Sequence, residues 1–424
     1  MIVVFPKTMF FLMVFFLSFP GWSADSLYLE LSSKGAQWDI GLSPLVLDKG
    51  LPESQQAPEI LATLKSDLEF TRRFTLVEGG PLCQGAKQTS EWNRLGADVV
   101  AGGRVEKPLF GRPQFLGILY DAGTGKTVLE KTWPLEKGPR RVAHLWADEI
   151  VRYFTGQPGI ASTQIVFVND TTGKKEIYSC DADGAGVQRL TGDRSIALFP
   201  KLSPDGLWVV FTTFRSGRPE VALVGSDGQN IRSLCRFDGL NSAAAWMPDG
   251  KSLVATVSQG GVPNLCLINL DGQIIQKITD SAAADTAPTV SPDGLKIAFT
   301  SDRPGFPQIY VTGSNGTDVR RLTKGAISDS PDWSPLGHLL VFTTQENNFF
   351  DLWTLEPTTG KTTRLTFGEG DNENASWSPD GRHLVFTSTR RGKPELWVMD
   401  ADGSNPHPLG NIPGRSFTPH WGGF

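Results

Sequence analysis

Apolar and polar positions in the last two-thirds of the chain repeat neither every 3.6 nor every 2 residues alone. They repeat as a block, 43 or 44 residues long. Each block opens on an apolar marker, in order Leu202, Trp246, Val290, Trp333, Trp377 and Trp421. Behind the first five stand Ser203-Pro204-Asp205-Gly206, Met247-Pro248-Asp249-Gly250, Ser291-Pro292-Asp293-Gly294, Ser334-Pro335-Leu336-Gly337 and Ser378-Pro379-Asp380-Gly381. Ser at the first, Pro at the second and Gly at the fourth position are the residues a type I turn favours. An apolar run such as Lys296-Ile297-Ala298-Phe299-Thr300 follows, then a Gly-centred loop, a third run such as Gln308-Ile309-Tyr310-Val311, a tight turn, and a fourth run closing on Leu or Ile. Short β runs at this period predict four-stranded blades arranged in a closed ring.

Two further registers agree. Gly173, Gly217, Gly261, Gly305, Asn348 and Gly392 hold one loop position, and Asn is the side chain that best tolerates positive φ. Leu190, Leu234, Ile278, Leu322, Leu365 and Leu409 hold one position in the fourth strand. The first unit, from Thr163, lacks an inner strand, and Trp421 lies one period beyond Trp377. The C-terminal segment is therefore expected to supply the missing strand and leave no open sheet edge. The fold predicted is an α/β N-terminal domain followed by an all-β six-bladed β-propeller. Because the chain reverses at every turn, the loops entering the inner strands share a face with the Gly-centred loops. The Ser-Pro-Asp-Gly and Asp-Gly turns share the other. The first face is more varied, and such loops usually carry function.

Before the repeats, residues 25–157 show a different pattern. Ser26–Leu31 and Trp38–Leu47 read as strands and Glu53–Phe74 as a helix with Ile60, Leu61, Leu64, Leu68 and Phe74 on roughly one side. Ala97–Gly103 reads as a buried strand, and Phe115–Asp121 with Thr127–Trp133 as a hairpin. Pro139 opens a helix, where its missing N–H costs nothing, with Val142, Leu145, Trp146, Ile150 and Phe154 inward. Gly156 and Pro158-Gly159 end it and lead to the repeats from 158 to 424.

Residues 1–24 read as a secretory signal: Lys7, an apolar run from Met9 to Phe19, then Pro20 and small residues before Ser23 and Ala24. The run is too short for a bilayer span, which needs about 20 residues, so no stable membrane insertion is expected. Net charge of −5 with no basic stripe argues against nucleic acid. Cys83, Cys180, Cys235 and Cys266 show no metal spacing and read as free thiols, although export would permit disulfides.

Candidate chemistry is sparse. Gly123-Thr124-Gly125-Lys126-Thr127 imitates the end of a phosphate-binding loop, but Tyr120 replaces the first Gly and a strand follows. Asp181-Ala182-Asp183-Gly184 and Asp400-Ala401-Asp402-Gly403 start like calcium loops without the later Glu, and read as turns. His144 with Asp148 four residues on could be an acid–base couple, and reads as a solvated i,i+4 contact or a packed structural histidine. No catalytic residue, metal site or cofactor is assigned, and the chain is expected not to be an enzyme.

Trp92…Leu95-Gly96-Ala97-Asp98, Leu119-Tyr120-Asp121…Thr124-Gly125, Arg141…Ala143-His144…Asp148-Glu149-Ile150 and the six repeats together resemble the TolB family, periplasmic propeller proteins of the Tol-Pal system. The resemblance implies a periplasmic scaffold. Its propeller would bind the peptidoglycan-associated lipoprotein Pal, and its mature N-terminal segment would bind TolA, supporting outer-membrane integrity and constriction at division. Other outer-membrane proteins are further implied partners. Matched to the loops entering the inner strands, the implied Pal face comprises Leu240, Asn241, Ser242, Ala243, Asp285, Thr286, Ala287, Asp329, Ser330, Asn372, Glu373, Asn374 and Phe417. The implied TolA segment comprises Asp25, Ser26, Leu27, Tyr28, Leu29 and Glu30. The alternatives are a propeller that binds a small ligand or glycan, and the propeller of a hydrolase. The latter would need a Gly-x-Ser-x-Gly domain that the sequence lacks.

Overall fold

The computed structural model describes residues 37–48, 56–108, 110–346 and 348–423. The leader, the strand expected at Ser26–Leu31 and the implied TolA segment lie outside the described residues.

The α/β unit is built on β1 (Trp38–Leu42), β2 (Val46–Leu47), α1 (Gln56–Thr71), β3 (Phe74–Val77), α2 (Ala86–Arg94), β4 (Val99–Glu106), β5 (Gln114–Asp121), β6 (Thr127–Pro134) and α3 (Pro139–Thr155). Its sheet runs β3-β1-β4-β5-β6, with β2 also on β4. β1 lies parallel to β3 and β4, and β4–β5–β6 is an antiparallel meander. Alternation along the strands sorts two cores. Val99, Ala101, Phe115 and Leu119 pack against Ile60, Leu64 and Leu68 of α1 and Val142, Trp146 and Ile150 of α3. Val100, Tyr120 and Ala122 pack on Trp92 of α2. Gly41 lets the indole approach, since a Cβ there would stand 2.6 Å from Trp92.

Three local expectations are corrected. The single strand read at Trp38–Leu47 breaks into β1 and β2 at Ser43–Leu45, where Pro44 offers no N–H to a ladder. The first helix ends at Thr71: Arg72 is left-handed at φ 53°, and Phe74 already begins β3. Helix α2 was not anticipated, because one strong apolar anchor, Trp92, gives no periodicity to read.

The propeller has six four-stranded antiparallel sheets. Numbered along the chain, the inner strands of blades one to five are Ala197–Leu202, Asn241–Trp246, Asp285–Val290, Ser328–Trp333 and Asn372–Trp377. Blade six is discontinuous: Ser416–Gly422 pairs antiparallel with Gln164–Asn169, followed by Glu176–Asp181 and Gln188–Arg189. The C-terminal strand thus closes the ring. Its Trp421, 3 % exposed, packs with Ile165 and Phe167 of blade six and Val385 and Val398 of blade five. Burying such a side chain contributes about 3 kcal/mol. Every Ser-Pro-Asp-Gly turn closes as expected; in blade one the Gly206 N–H donates to the Ser203 carbonyl at 2.9 Å, and Ser203 Oγ donates to Asp205 Oδ1. All four cysteines are free and buried.

The α/β unit docks on the turn face, over blades five and six. Phe70 of α1 stacks on His383 at 4.6 Å, and Arg72 pairs with Asp400 at 3.0 Å. Arg140 of α3 pairs with Asp183 at 2.5 Å, in the Asp-Ala-Asp-Gly turn of blade six. The two calcium-like turns are turns indeed, and both are docking points. His144 is a packed structural histidine, and it does not couple to Asp148. Its Nδ1 lies 2.7 Å from Asp67 of α1 and its Nε2 lies 3.7 Å from Asp181, while Asp148 accepts the Ala161 and Ser162 N–H groups of the linker.

Candidate docking face at the mouth of the propeller

The α/β unit takes up the turn face over blades five and six, and the loop face carries no other part of the described chain. Each inner strand slips register at one point: between Leu198 and Lys201, Ser242 and Ala245, Thr286 and Thr289, Asp329 and Asp332, Glu373 and Ser376, and Phe417 and His420. At each bulge one non-Gly residue takes a left-handed conformation: Phe199, Ala243, Ala287, Ser330, Asn374 and Thr418, with φ between 42° and 53°. Such residues cost of order 1–3 kcal/mol each, and bulges re-aim side chains beside functional sites. Pro200, Pro288, Pro331 and Pro419 follow four of them, as Pro tolerates only the edge or bulge of a sheet.

The bulges ring a cavity of about 300 Å³ at the loop-side mouth of the central channel. Four of the six are pinned to the preceding blade: Thr212, Thr300, Thr343 and Thr387 hydroxyls accept the N–H groups of Ala243, Ser330, Asn374 and Thr418 at 3.1–3.3 Å. Thr256 holds the same place in blade two, lines the cavity, and has no partner for its buried hydroxyl.

One layer deeper, the channel is waisted by Lys201, Ala245, Thr289, Asp332, Ser376 and His420. Thr289, Asp332, Ser376 and His420 each accept an N–H from the next blade, those of Trp333, Trp377, Trp421 and Leu202. Burial and the neighbouring Lys201 charge push His420 down to about 3, so its neutral Nδ1 is free to accept. Lys201 of blade one reaches Asp332 of blade four, on the opposite side of the ring, at 3.1 Å. That ion pair separates the mouth cavity from a second space of about 440 Å³ opening on the turn face.

The residues implied by sequence divide accordingly. Leu240, Ser242, Ala243, Thr286, Ala287, Asp329, Ser330 and Asn374 line the mouth cavity together. Asn241, Asp285 and Asn372, all 0 % exposed, work inward. The Asn241 amide donates to the Phe237 carbonyl, Asp285 pairs with Arg303 at 2.8 Å, and Asn372 accepts from Ser388 and Arg390. Phe417 packs in the blade one–six core under Lys175. Glu373 stays outside the cavity lining, half-buried, its carboxyl raised above the usual range by burial and then by the charges of Asp371 and Asp329. Sequence reading missed Phe199, Lys201, Asp332 and Thr418. The recurring Pro inside an inner strand was the available signal.

The only His/Asp cluster of metal-binding geometry among the described residues is Asp67, His144 and Asp183 at the interdomain seam. The Arg140 guanidinium on Asp183 already supplies the cationic charge there.

The family description "TolB beta propeller domain" matches residues 151–424. The chain belongs to the TolB β-propeller family. A crystal structure of TolB from Acinetobacter baumannii superposes with a TM-score of 0.76 and 26 % identity, covering 92 % of this chain and 97 % of that one. A "Protein TolB homolog" of Chlorobaculum tepidum is 37 % identical over 192 residues, 43 % of each chain. A "Tol-Pal system protein TolB" of Syntrophotalea carbinolica is 34 % identical over 200 residues, 44 % of this chain and 46 % of that one. The matched stretch spans under half the length of these two curated relatives. Among the described residues no helix is long and apolar enough to cross a membrane.

Proposed function

We propose that this TolB-type propeller is a non-enzymatic periplasmic scaffold of a Tol-Pal system, which presents its loop face to the lipoprotein Pal and its N-terminal segment to TolA. In that role it supports outer-membrane integrity and constriction at division. The observation that carries the reading is the asymmetry of the ring. The α/β unit is seated on the turn face over blades five and six, whereas no part of the described chain sits on the loop face, which is broad and centred on a cavity with an unpartnered Thr256 hydroxyl. A standard protein contact buries about 800 Å² on each partner, which a six-bladed face can supply.

The test is capture of the cognate Pal from an envelope extract by the full chain. Wild type should retain it. Ala243→Arg, which puts a large cation into the mouth, should lower retention at least about tenfold with an unchanged melting curve, as blocking a central contact does. A chain that retains no Pal and instead turns over a glycan or peptide would end the scaffold reading.

A further inference from the structure

The six-fold register allows each residue to be compared with its counterparts, and one outer strand stands apart. Tyr178, Tyr310 and Trp353 pair across the ladder with Arg189, Arg321 and Arg364, which are therefore equivalent. In blades six and four the arginine meets a carboxylate from the start of the third strand: Arg189 with Glu176 at 3.6 Å, and Arg364 with Asp351 at 2.7 Å. In blade two the equivalent cation, Lys277, faces Asn264 and turns to Asp280 at 2.6 Å. In blade three the carboxylate is replaced by Gln308. Its amide nitrogen donates to the Pro307 and Ala326 carbonyls, and its buried oxygen is unpartnered. Arg321 is exposed and, among the described residues, makes no ion pair or side-chain hydrogen bond.

Arg321 lies with Arg320 and Lys324 along a groove of about 620 Å³ between blades three and four. Arg320 is steered there by the Pro357 carbonyl at 2.9 Å. Lys324, like Arg321, is exposed without a partner among the described residues. The only carboxylate in the lining, Glu346, is already held by Arg364 at 3.4 Å. Arg364 is shared between Glu346 and Asp351, so Arg320, Arg321 and Lys324 are offset only in part and the groove keeps an excess of positive charge on a chain whose net charge is −5. Its opposite wall is rich in hydroxyls, from Thr344, Thr358, Thr359 and Thr362, and includes Trp353; the Thr358 and Thr359 hydroxyls donate to the Glu356 carboxylate and keep their lone pairs for a ligand.

We propose that this inter-blade groove is a binding site for an acidic saccharide, its carboxylates or phosphates on Arg321 and Lys324 and its hydroxyls on the threonine wall. Guanidinium groups grip planar anions through paired hydrogen bonds. Multiple protein hydroxyls match the polyol of a sugar better than the apolar side chains of a peptide. The site is on the rim of the ring, clear of both the mouth cavity and the interdomain seam, so it stands or falls independently of Pal binding.

Tetragalacturonate, maltotetraose and hexaglutamate, titrated calorimetrically into the full chain, test it. Tetragalacturonate should bind at least about tenfold more tightly than neutral maltotetraose and lose affinity as salt rises. Arg321→Ala should weaken it about ten- to a hundredfold, the size of a charge-assisted hydrogen bond. Gln308→Glu supplies the internal carboxylate that blades four and six possess, and should weaken binding comparably without touching the groove wall. If that variant fails to fold, Arg321→Ala/Lys324→Ala, altered only at exposed positions, carries the same test. No binding of tetragalacturonate, equal binding of maltotetraose, or affinity indifferent to the folded variants would overturn the site. Tighter binding of hexaglutamate would overturn the saccharide assignment.

Discussion

The same six inner strands end very differently on the two faces of the ring. At the C-terminal ends of the first five an apolar marker is followed by a Pro-containing turn, locked by its own Ser and Asp side chains in blades one, three and five. At their N-terminal ends only the backbone repeats. All six bulges are left-handed, yet the residues there are Phe, Ala, Ala, Ser, Asn and Thr. A tight turn specifies its residues because few side chains fit it. A bulge at a cavity mouth fixes the backbone and leaves the side chain facing open space, where its chemistry can vary. The turn face is thus a structural platform, used to seat the α/β unit, and the loop face is a frame for recognition.

The strongest way to break that contrast is to open the ring. Deleting 416–424 removes the inner strand of blade six, its ladder to Gln164–Asn169 and the Trp421 seam. Loss of several buried contacts at once should cost more than about 5 kcal/mol and lower the melting temperature by roughly 10–20 °C. Both faces should be lost together. A truncated chain that melts like wild type would show that the ring does not depend on its closure.

The platform side can be tested alone at the interdomain seam. Asp67, pushed up to about 6 chiefly by burial, and His144, raised to about 9 by Asp181 and Asp67 against the opposing pull of burial, are both charged between these values. Removing one partner of such a pair strands the other, so His144→Ala should cost about 3–5 kcal/mol, and Asp67→Asn/His144→Gln distinctly less. The pH dependence has a definite sign. His144 has its folded pKa above its unfolded value near 6.5, so its contribution is complete below that pH and is lost as pH rises through about 9. That slope, up to about 3 kcal/mol, should vanish in His144→Gln. Denaturant melts between pH 6.5 and 9.5 read it directly, and an equal slope in wild type and variant would remove His144 from the seam.

How much of this was legible follows the same division. Leu202, Trp246, Trp333, Trp377 and Trp421, with the turns behind them, announced the blades, and the position of Trp421 announced the closure. These features repeat, and repetition is visible in one sequence. His144 meeting Asp67 and Asp181, or Lys201 meeting Asp332 across the channel, joins residues from unrelated registers. Nothing in linear spacing marks such pairs. The burial of Asn241, Asp285 and Asn372 was hidden for another reason: at the first position of an inner strand a polar side chain can turn outward or back into its own loop, and these turn back.

The Lys201–Asp332 pair asks whether opposite blades support one another. Asp332 also accepts the Trp377 N–H, so it keeps one partner when the lysine is removed. Lys201→Met should therefore cost only about 1–2 kcal/mol, nearer a part-exposed pair than a fully buried one. The double variant Lys201→Met/Asp332→Asn measures their coupling. Additive costs would mean that the ion pair divides the channel without bracing the ring.

The smallest effect sharpens the loop side. Ala287, at φ 48°, accepts a conformation that glycine adopts freely, and its side chain lines the mouth. Relief of that strain competes with the greater entropy glycine brings to the unfolded chain, about 0.5–1 kcal/mol. Ala287→Gly should then leave the denaturation midpoint unchanged or raise stability by up to about 1 kcal/mol, whereas Ala287→Val, β-branched in a left-handed well, should lower it. If instead glycine destabilises by more than its entropic cost, the alanine methyl is packed rather than merely tolerated. The bulge would then be part of the core, and the freedom of side-chain choice inferred for the loop face would not hold at that blade.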